Sequence, residues 1–191
     1  MKKKNEEKYT QIIQVTSNLI ATQGAALVST TKVAKLVGIS QSNIYIYFKN
    51  KDDLLYHVYL SKLTGMQHFF MTLENSSLTL TQQLKAYIMN LYQFALQHPQ
   101  DIEVIEQIKA MPNSPLHSSE LNVTDDTQLA RNLVVKGIDA GILRPVSPEL
   151  HLTIVFNVIR RYTTSIAKPN EDKSAFQPVF AMIWDAIAKP D

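Results

Sequence analysis

Three observations predict an all-α fold. Apolar residues recur at spacings of three and four along most of the chain, whereas the alternation of a half-buried strand is scarce. Gly24, Gly38 and Gly141 each fall just behind such a stretch, where a left-handed residue ends a helix. Asn75-Ser76-Ser77, His98-Pro99 and Ser147-Pro148 punctuate the rest. The expected organisation is a three-helix N-terminal domain over residues 1–51 and a larger helical domain over 52–191, with about nine helices in all.

The first helix is expected over 4–23, with Tyr9, Ile12, Ile13, Thr16, Leu19 and Ile20 on one stripe. A short helix follows over 30–37. Beyond Gly38, Ser40 is placed to cap another that runs to about Tyr47. Lys51 opens a long helix that reaches Glu74, with Leu54, Leu55, Val58 and Leu63 inward. Residues 80–97 carry Leu84, Tyr87, Ile88, Leu91 and Ala95 at helical spacing, and 101–110 carry Ile102, Ile105 and Ile108. Pro112 and Pro115 mark 111–120 as a loop. The last three helices are expected over 124–140, 148–167 and 174–188. Ser147-Pro148 supplies a cap and a first-turn proline to the middle one.

With 191 residues and 45% apolar content the chain can bury a real core. It contains no cysteine, which excludes disulfides and thiolate metal sites. The N-terminal lysines do not lead into the apolar core of a signal peptide. The apolar run at Ile154–Ile159 is far short of the roughly 20 residues of a membrane helix. A cytoplasmic protein that engages no membrane is expected. The charge is uneven. Residues 1–53 hold eight lysines against four carboxylates, a net of +4, and the remainder holds eleven basic and thirteen acidic residues, a net of −2. A basic head on a near-neutral body suits a nucleic-acid-facing module, although a solvated lysine-rich surface has the same count.

Residues 29–48 read STTKVAKLVGISQSNIYIYF. Val33, Ala34 and Val37 give the first short helix a narrow buried face, and the small Ala34 lets a second helix cross closely. Gly38 permits the positive φ of a tight turn, and Ile39 plugs the corner. Ile44 and Phe48 return to the core. Gln41, Ser42, Asn43, Tyr45 and Tyr47 are left to point outward or sideways. This is the logic of a helix-turn-helix, in which one helix braces and the next is offered to the major groove.

The segment resembles the DNA-binding domain of the TetR family of transcriptional regulators. The resemblance rests on Ser29, Val33-Ala34, Gly38-Ile39-Ser40, Ile44-Tyr45, Tyr47-Phe48, Asn50-Lys51-Asp52 and Leu54-Leu55, and it covers about residues 10–60. Two positions depart from the family pattern. Lys32 stands where a Glu or Asp often completes a capping box, and Gln41-Ser42-Asn43 stands where a cation and a glycine are common. The resemblance implies a division of labour on double-stranded DNA. Ser29, Thr31, Tyr47 and Lys51 would hold phosphates, with Lys32 near the backbone and Ser40 at the turn. Gln41, Ser42 and Asn43 would face bases, their amides suiting adenine edges, and Tyr45 would meet a phosphate or a thymine methyl. Lys2 to Lys4 would add a minor-groove or phosphate contact, or else form a solvated tail.

The remainder is similar to the family's ligand-binding and dimerisation region in position and helical character. Phe176, Val179, Phe180, Ile183, Trp184 and Ile187 form one helical stripe. The preceding helix offers Ile154, Val158 and Tyr162 among others. Together they suit a four-helix interface in a homodimer. They equally suit burial within one chain. Tyr87, Asn90, Tyr92, Met111, Phe156 and Asn157 are the candidate lining of a site for a small, lipophilic effector. The helix opened by Lys51 and ending near Phe69 and Phe70 would link the two sites.

The function expected is a homodimeric repressor of a palindromic operator, released by a ligand. The alternative is an activator, or a regulator controlled by a protein partner. An enzyme is not expected: HExxH, Gly-x-Ser-x-Gly, P-loop and dinucleotide-binding glycine patterns are all missing. His57, His68, His98, His117 and His151 lack metal-ligand spacing, and no cofactor is expected.

Overall fold

A computed structural model describes residues 2–74, 77–112, 114, 129–165 and 173–190. Among them are nine α-helices: α1 (Lys2–Gln23), α2 (Thr30–Val37), α3 (Gln41–Ile44), α4 (Lys51–Glu74), α5 (Leu80–Gln97), α6 (Pro99–Lys109), α7 (Leu129–Asp139), α8 (Pro148–Ser165) and α9 (Gln177–Ile187). Short 3-10 turns, Ala25–Leu27 and Lys173–Phe176, follow α1 and lead into α9. The fold is all-α, as the periodicity predicts. A single bridge between Leu143 and Ala188 is the β pairing among the described residues.

Helix ends follow local chemistry. Gly24, Gly38 and Gly141 take φ of 93°, 75° and 70°, and Gly38 closes α2 in the left-handed conformation. Ser29 caps α2 by accepting from Lys32 N, and Thr79 and Gln82 form a capping box on α5. Asn50 Oδ1 accepts from Asp53 N at 2.8 Å, while Asp53 Oδ2 accepts from Lys49 N at 2.8 Å. Pro99 both stops α5 and opens α6, so α6 starts two residues earlier than expected. The helix expected to reach Tyr47 ends at Ile44 instead. There the chain tightens into bonds from Ile46 N to Asn43 O and Tyr47 N to Ile44 O, which turn Phe48 inward. The expected helix starts at 124–128, the end at 166–167 and most of the loop 111–120 lie outside the described residues.

The chain packs as two compact units, and the division differs from a boundary at 51/52. One unit comprises Met1–Thr64 with Gln100–Asn122, the other Gly65–Pro99 with Val123–Asp191. The reason lies in α6. Its Val104 and Ile108 are buried in the same core as Ile12, Ile20, Val33, Ile44, Phe48, Leu54, Leu55 and Val58. Gln107 Oε1 accepts from Ala25 N at 3.0 Å, and Lys62 Nζ meets Asp101 Oδ1 at 2.7 Å, tying α4 to α6. Tyr9 stacks on Phe48 at 5.4 Å, and its hydroxyl pairs with His57 Nδ1 at 3.0 Å. Burial, reinforced by Asp53, pushes the Tyr9 phenol up from its ordinary range.

In the second unit α5, α7, α8 and α9 pack together. Gly137 lets α7 approach closely, since a Cβ there would meet Leu143 Cδ1 and Leu84 Cδ1 at 2.9 Å. Tyr92 lies flat on Phe176, with centroids 3.7 Å apart and planes 4° from parallel. The Tyr162 hydroxyl donates to Ala175 O at 3.2 Å. The Arg144 guanidinium donates to Ala186 O and Asp185 O, the free carbonyls at the end of α9, and the buried His151 reaches Arg144 O through Nε2 at 2.9 Å.

Candidate nucleic-acid interface

The helix-turn-helix is built from α2, the Gly38 turn and α3. Val33, Ala34 and Val37 are buried on α2, and Ile44 and Phe48 anchor the far side of α3. With that face inward, Gln41, Ser42 and Asn43 are exposed together, and Tyr45 is half exposed at 50%. The three expected base-facing residues therefore share one open surface. Ser40 sits at the cap position of α3, but its hydroxyl makes no cap bond. It pairs with Ser42 Oγ at 2.8 Å instead.

The expected phosphate-holding residues flank that surface. Thr31 and Lys32 are exposed, while Ser29, Tyr47 and Lys51 are half-buried. Both lysines already lean on the turn after α1: Lys32 Nζ donates to Leu27 O at 3.2 Å and Lys51 Nζ to Ala26 O at 3.1 Å. Each ammonium has three donors, so a phosphate oxygen can still be met. Lys51 opens α4 beside the carboxylates of Asp52 and Asp53, so a phosphate there would be met by the Lys51 ammonium itself. For Lys2 to Lys4 the helical backbone is described and the side chains are not.

Two features were missed by sequence reasoning. Ile46 is 70% exposed between the two tyrosines, a large apolar side chain at the surface of the head. The shortening of α3 puts it there, and helical periodicity alone does not reveal such a change of pitch. Thr30 is the other. It is buried at the start of α2 and joins Gln41 and Tyr45 in a polar cluster, across a sequence separation that local patterns do not reach.

The candidate effector residues do not all come together. Tyr87, Tyr92 and Phe156 are buried in the second unit, and Asn90 and Asn157 are half-buried there. Met111 packs against the core of the first unit. Burial pushes the Tyr87 phenol well above its usual range, so it stays neutral. The side chains of Phe69 and Phe70 lie outside the described residues.

The candidate dimer stripe also divides. Tyr162, Phe176, Ile183 and Ile187 are buried within the subunit, Phe176 stacked on Tyr92 and Tyr162 tilted against both rings. They are thus packed against their own chain and present no surface to a second copy. Ile154, Val179, Phe180 and Trp184 are half-buried, with Lys85 Nζ 4.9 Å from the Trp184 ring. Val158 and Leu150 are exposed, and so is Met182, which the expected stripe did not include. No group of acidic, histidine or cysteine side chains among the described residues could hold a metal ion, and no helix among them is long and apolar enough to cross a membrane.

Comparison with known proteins adds to this geometry. The family profile described as bacterial regulatory proteins, tetR family, matches residues 12–58. A crystal structure from Lactobacillus plantarum, assigned as a transcription regulator, is 34% identical with a TM-score of 0.77. The similarity covers 95% of this chain and 99% of that one. An uncharacterised helix-turn-helix-type transcriptional regulator of Haemophilus influenzae is 30% identical over 106 residues, 54% of this chain and 55% of that protein. The fatty acid metabolism regulator protein of Bacillus subtilis is 38% identical over 61 residues, 32% of this chain and 31% of that protein. The matches thus span about half and about a third of the lengths of these two relatives.

Proposed function

We propose, for a chain that belongs to the tetR family of bacterial regulatory proteins, a sequence-specific DNA-binding repressor that acts as a homodimer on a palindromic operator and is released by a small molecule. The observation that carries the DNA reading is the exposed row Gln41, Ser42 and Asn43 on a helix held by buried Ile44 and Phe48, inside the region that matches the family. Polar side chains at the start of a short, firmly seated helix are what major-groove reading requires. Functionally, 1–51 is the reading head and 52–191 the effector and dimer region.

The dimer uses the outward sides of α8 and α9. Leu150, Val158 and Met182 are exposed there with half-buried Ile154, Val179 and Phe180 beside them, an apolar stripe of the kind that a second copy covers. The effector is small and lipophilic, bound in the second unit near Tyr87, Tyr92 and Phe156. Their burial and the name of the Bacillus subtilis relative support that choice.

Selection of bound duplexes from a random pool tests the reading. A palindrome is expected, with half-sites about one helical turn apart or a multiple of it. A pool with no enriched sequence counts against sequence-specific binding. On the selected operator, Lys51→Ala is expected to weaken binding to all duplexes alike and to reduce the salt slope by about one contact. An altered sequence preference at unchanged salt slope would remove Lys51 from the phosphate contacts. Release is tested by titrating a long-chain fatty acid with and without operator. A 100-fold loss of DNA affinity needs a coupling of only about 2.7 kcal/mol, and operator must weaken the fatty acid by the same factor. Equal affinities in the two titrations exclude a fatty acid as the releasing molecule.

A further inference from the structure

We infer that Gln41 reads DNA as a hydrogen-bond acceptor only, and so selects a base with an amino group in the major groove, adenine or cytosine, without telling the two apart. This rests on the DNA-binding reading above and goes beyond it to the chemistry of one base pair. The Gln41 side-chain amide is not free. Its Nε2 donates to Thr30 Oγ1 at 2.9 Å and to the Tyr45 hydroxyl at 3.4 Å, and those two hydroxyls lie 3.4 Å from each other. The distances place both hydroxyls on one side of the nitrogen, so the bonds are bent, within the angles that hydrogen bonds tolerate.

Thr30 makes the arrangement firm. It is buried at the first position of α2, on the helix that braces α3, so the amide nitrogen is held against a fixed element. Tyr45 sits one helical turn beyond Gln41 and closes the cluster from the solvent side. An amide has two N–H donors and one carbonyl acceptor. With Nε2 turned toward the two hydroxyls of the head, Oε1 is the group turned toward a ligand.

The consequence follows from the edges of the bases. Adenine is best bound by an amide that gives and accepts at once, to N7 and N6. Cytosine offers only its N4 amino group, which calls for an acceptor. Guanine and thymine present acceptors, O6 with N7 and O4, and would face Oε1 with nothing to bind. Gln41 held in this way accepts from adenine N6 or cytosine N4 with similar strength and rejects guanine and thymine.

The experiment is the duplex selection repeated with Gln41→Ala, Thr30→Val and Thr30→Ser, each first shown to melt as one cooperative unit. The base position concerned is the one whose preference Gln41→Ala erases in each half-site. There the unaltered protein is expected to accept adenine and cytosine within about twofold, and to disfavour guanine and thymine by about five- to tenfold, the weight of one hydrogen bond and an unmet acceptor. Thr30→Val frees an N–H and should move the preference toward adenine over cytosine. Thr30→Ser keeps the hydroxyl and should restore the mixed preference.

Adenine alone at that position in the unaltered protein would overturn the inference, because it requires the free amide. Guanine or thymine there would overturn it as well, by placing N–H toward the DNA. Gln41→Ala without effect in a pool that is otherwise enriched would remove the contact altogether. Each of these results leaves the regulator reading standing. A pool with no enriched sequence overturns both.

Discussion

Phe48→Ala is expected to cost about 3–5 kcal/mol of stability and with it the DNA-binding surface. Phe48 is 1% exposed, stacks on Tyr9 and lies 5.4 Å edge-on to His57. It is the last residue of the turn that follows α3, so it is also the peg that holds the reading helix down. Its loss opens a cavity between α1, α3 and α4 and leaves the pair between the Tyr9 hydroxyl and His57 without its lid. Urea unfolding gives the stability change, and Phe48→Leu, which refills most of the volume, should lose less than about half as much. A loss under about 1 kcal/mol for the alanine variant would mean that the head collapses around the gap and that Phe48 does not set the position of α3.

Two neighbouring substitutions on α9 should behave in opposite ways. Ile183→Glu puts a carboxylate at a site 1% exposed and should destabilise the subunit by several kcal/mol, since a buried charge without a partner is strongly unfavourable. Met182→Glu, at a site 70% exposed, should leave helical content and cooperative melting in place. It should nevertheless shift sedimentation from dimer to monomer, because two like charges then meet across the proposed interface. Operator affinity should fall by about 10²–10⁴-fold, the advantage of holding both half-sites through one linked molecule. Met182→Glu that still sediments as a dimer and keeps its operator would show that α9 does not form the interface. The pairing matters because the stripe Phe176, Val179, Phe180, Ile183, Trp184 and Ile187 is one pattern in sequence and two environments in space.

The head is the most legible part of the chain. Its small parts have local reasons: a cap at Ser29, a left-handed glycine at Gly38, a corner plug at Ile39 and two apolar returns at Ile44 and Phe48. Each of these acts within a few residues, so each leaves a mark at fixed spacing. The starts of α4 and α5 fall where expected, and the structure supplies the local reason, Asn50 with Asp53 and Thr79 with Gln82. The cluster of Thr30, Gln41 and Tyr45 was not, because it joins residues eleven and fifteen apart that meet only after α2 and α3 have crossed.

By itself, the sequence determined the all-α class, the order of the helices and the residues that the reading helix turns outward. Those depend on periodicity and on caps, whose energies are local. Only the tertiary structure decided where α6 belongs, which half of the α9 stripe is already covered, and which atoms of Gln41 remain available. Val104 and Ile108 carry an apolar face that would suit either unit, and packing beside Ile12 and Leu54 chose the first. Phe176 could have faced a partner until Tyr92 stacked on it. Apolar spacing states that a face must be buried. It does not state against what, because the hydrophobic effect has no direction and accepts any apolar neighbour that the fold brings near.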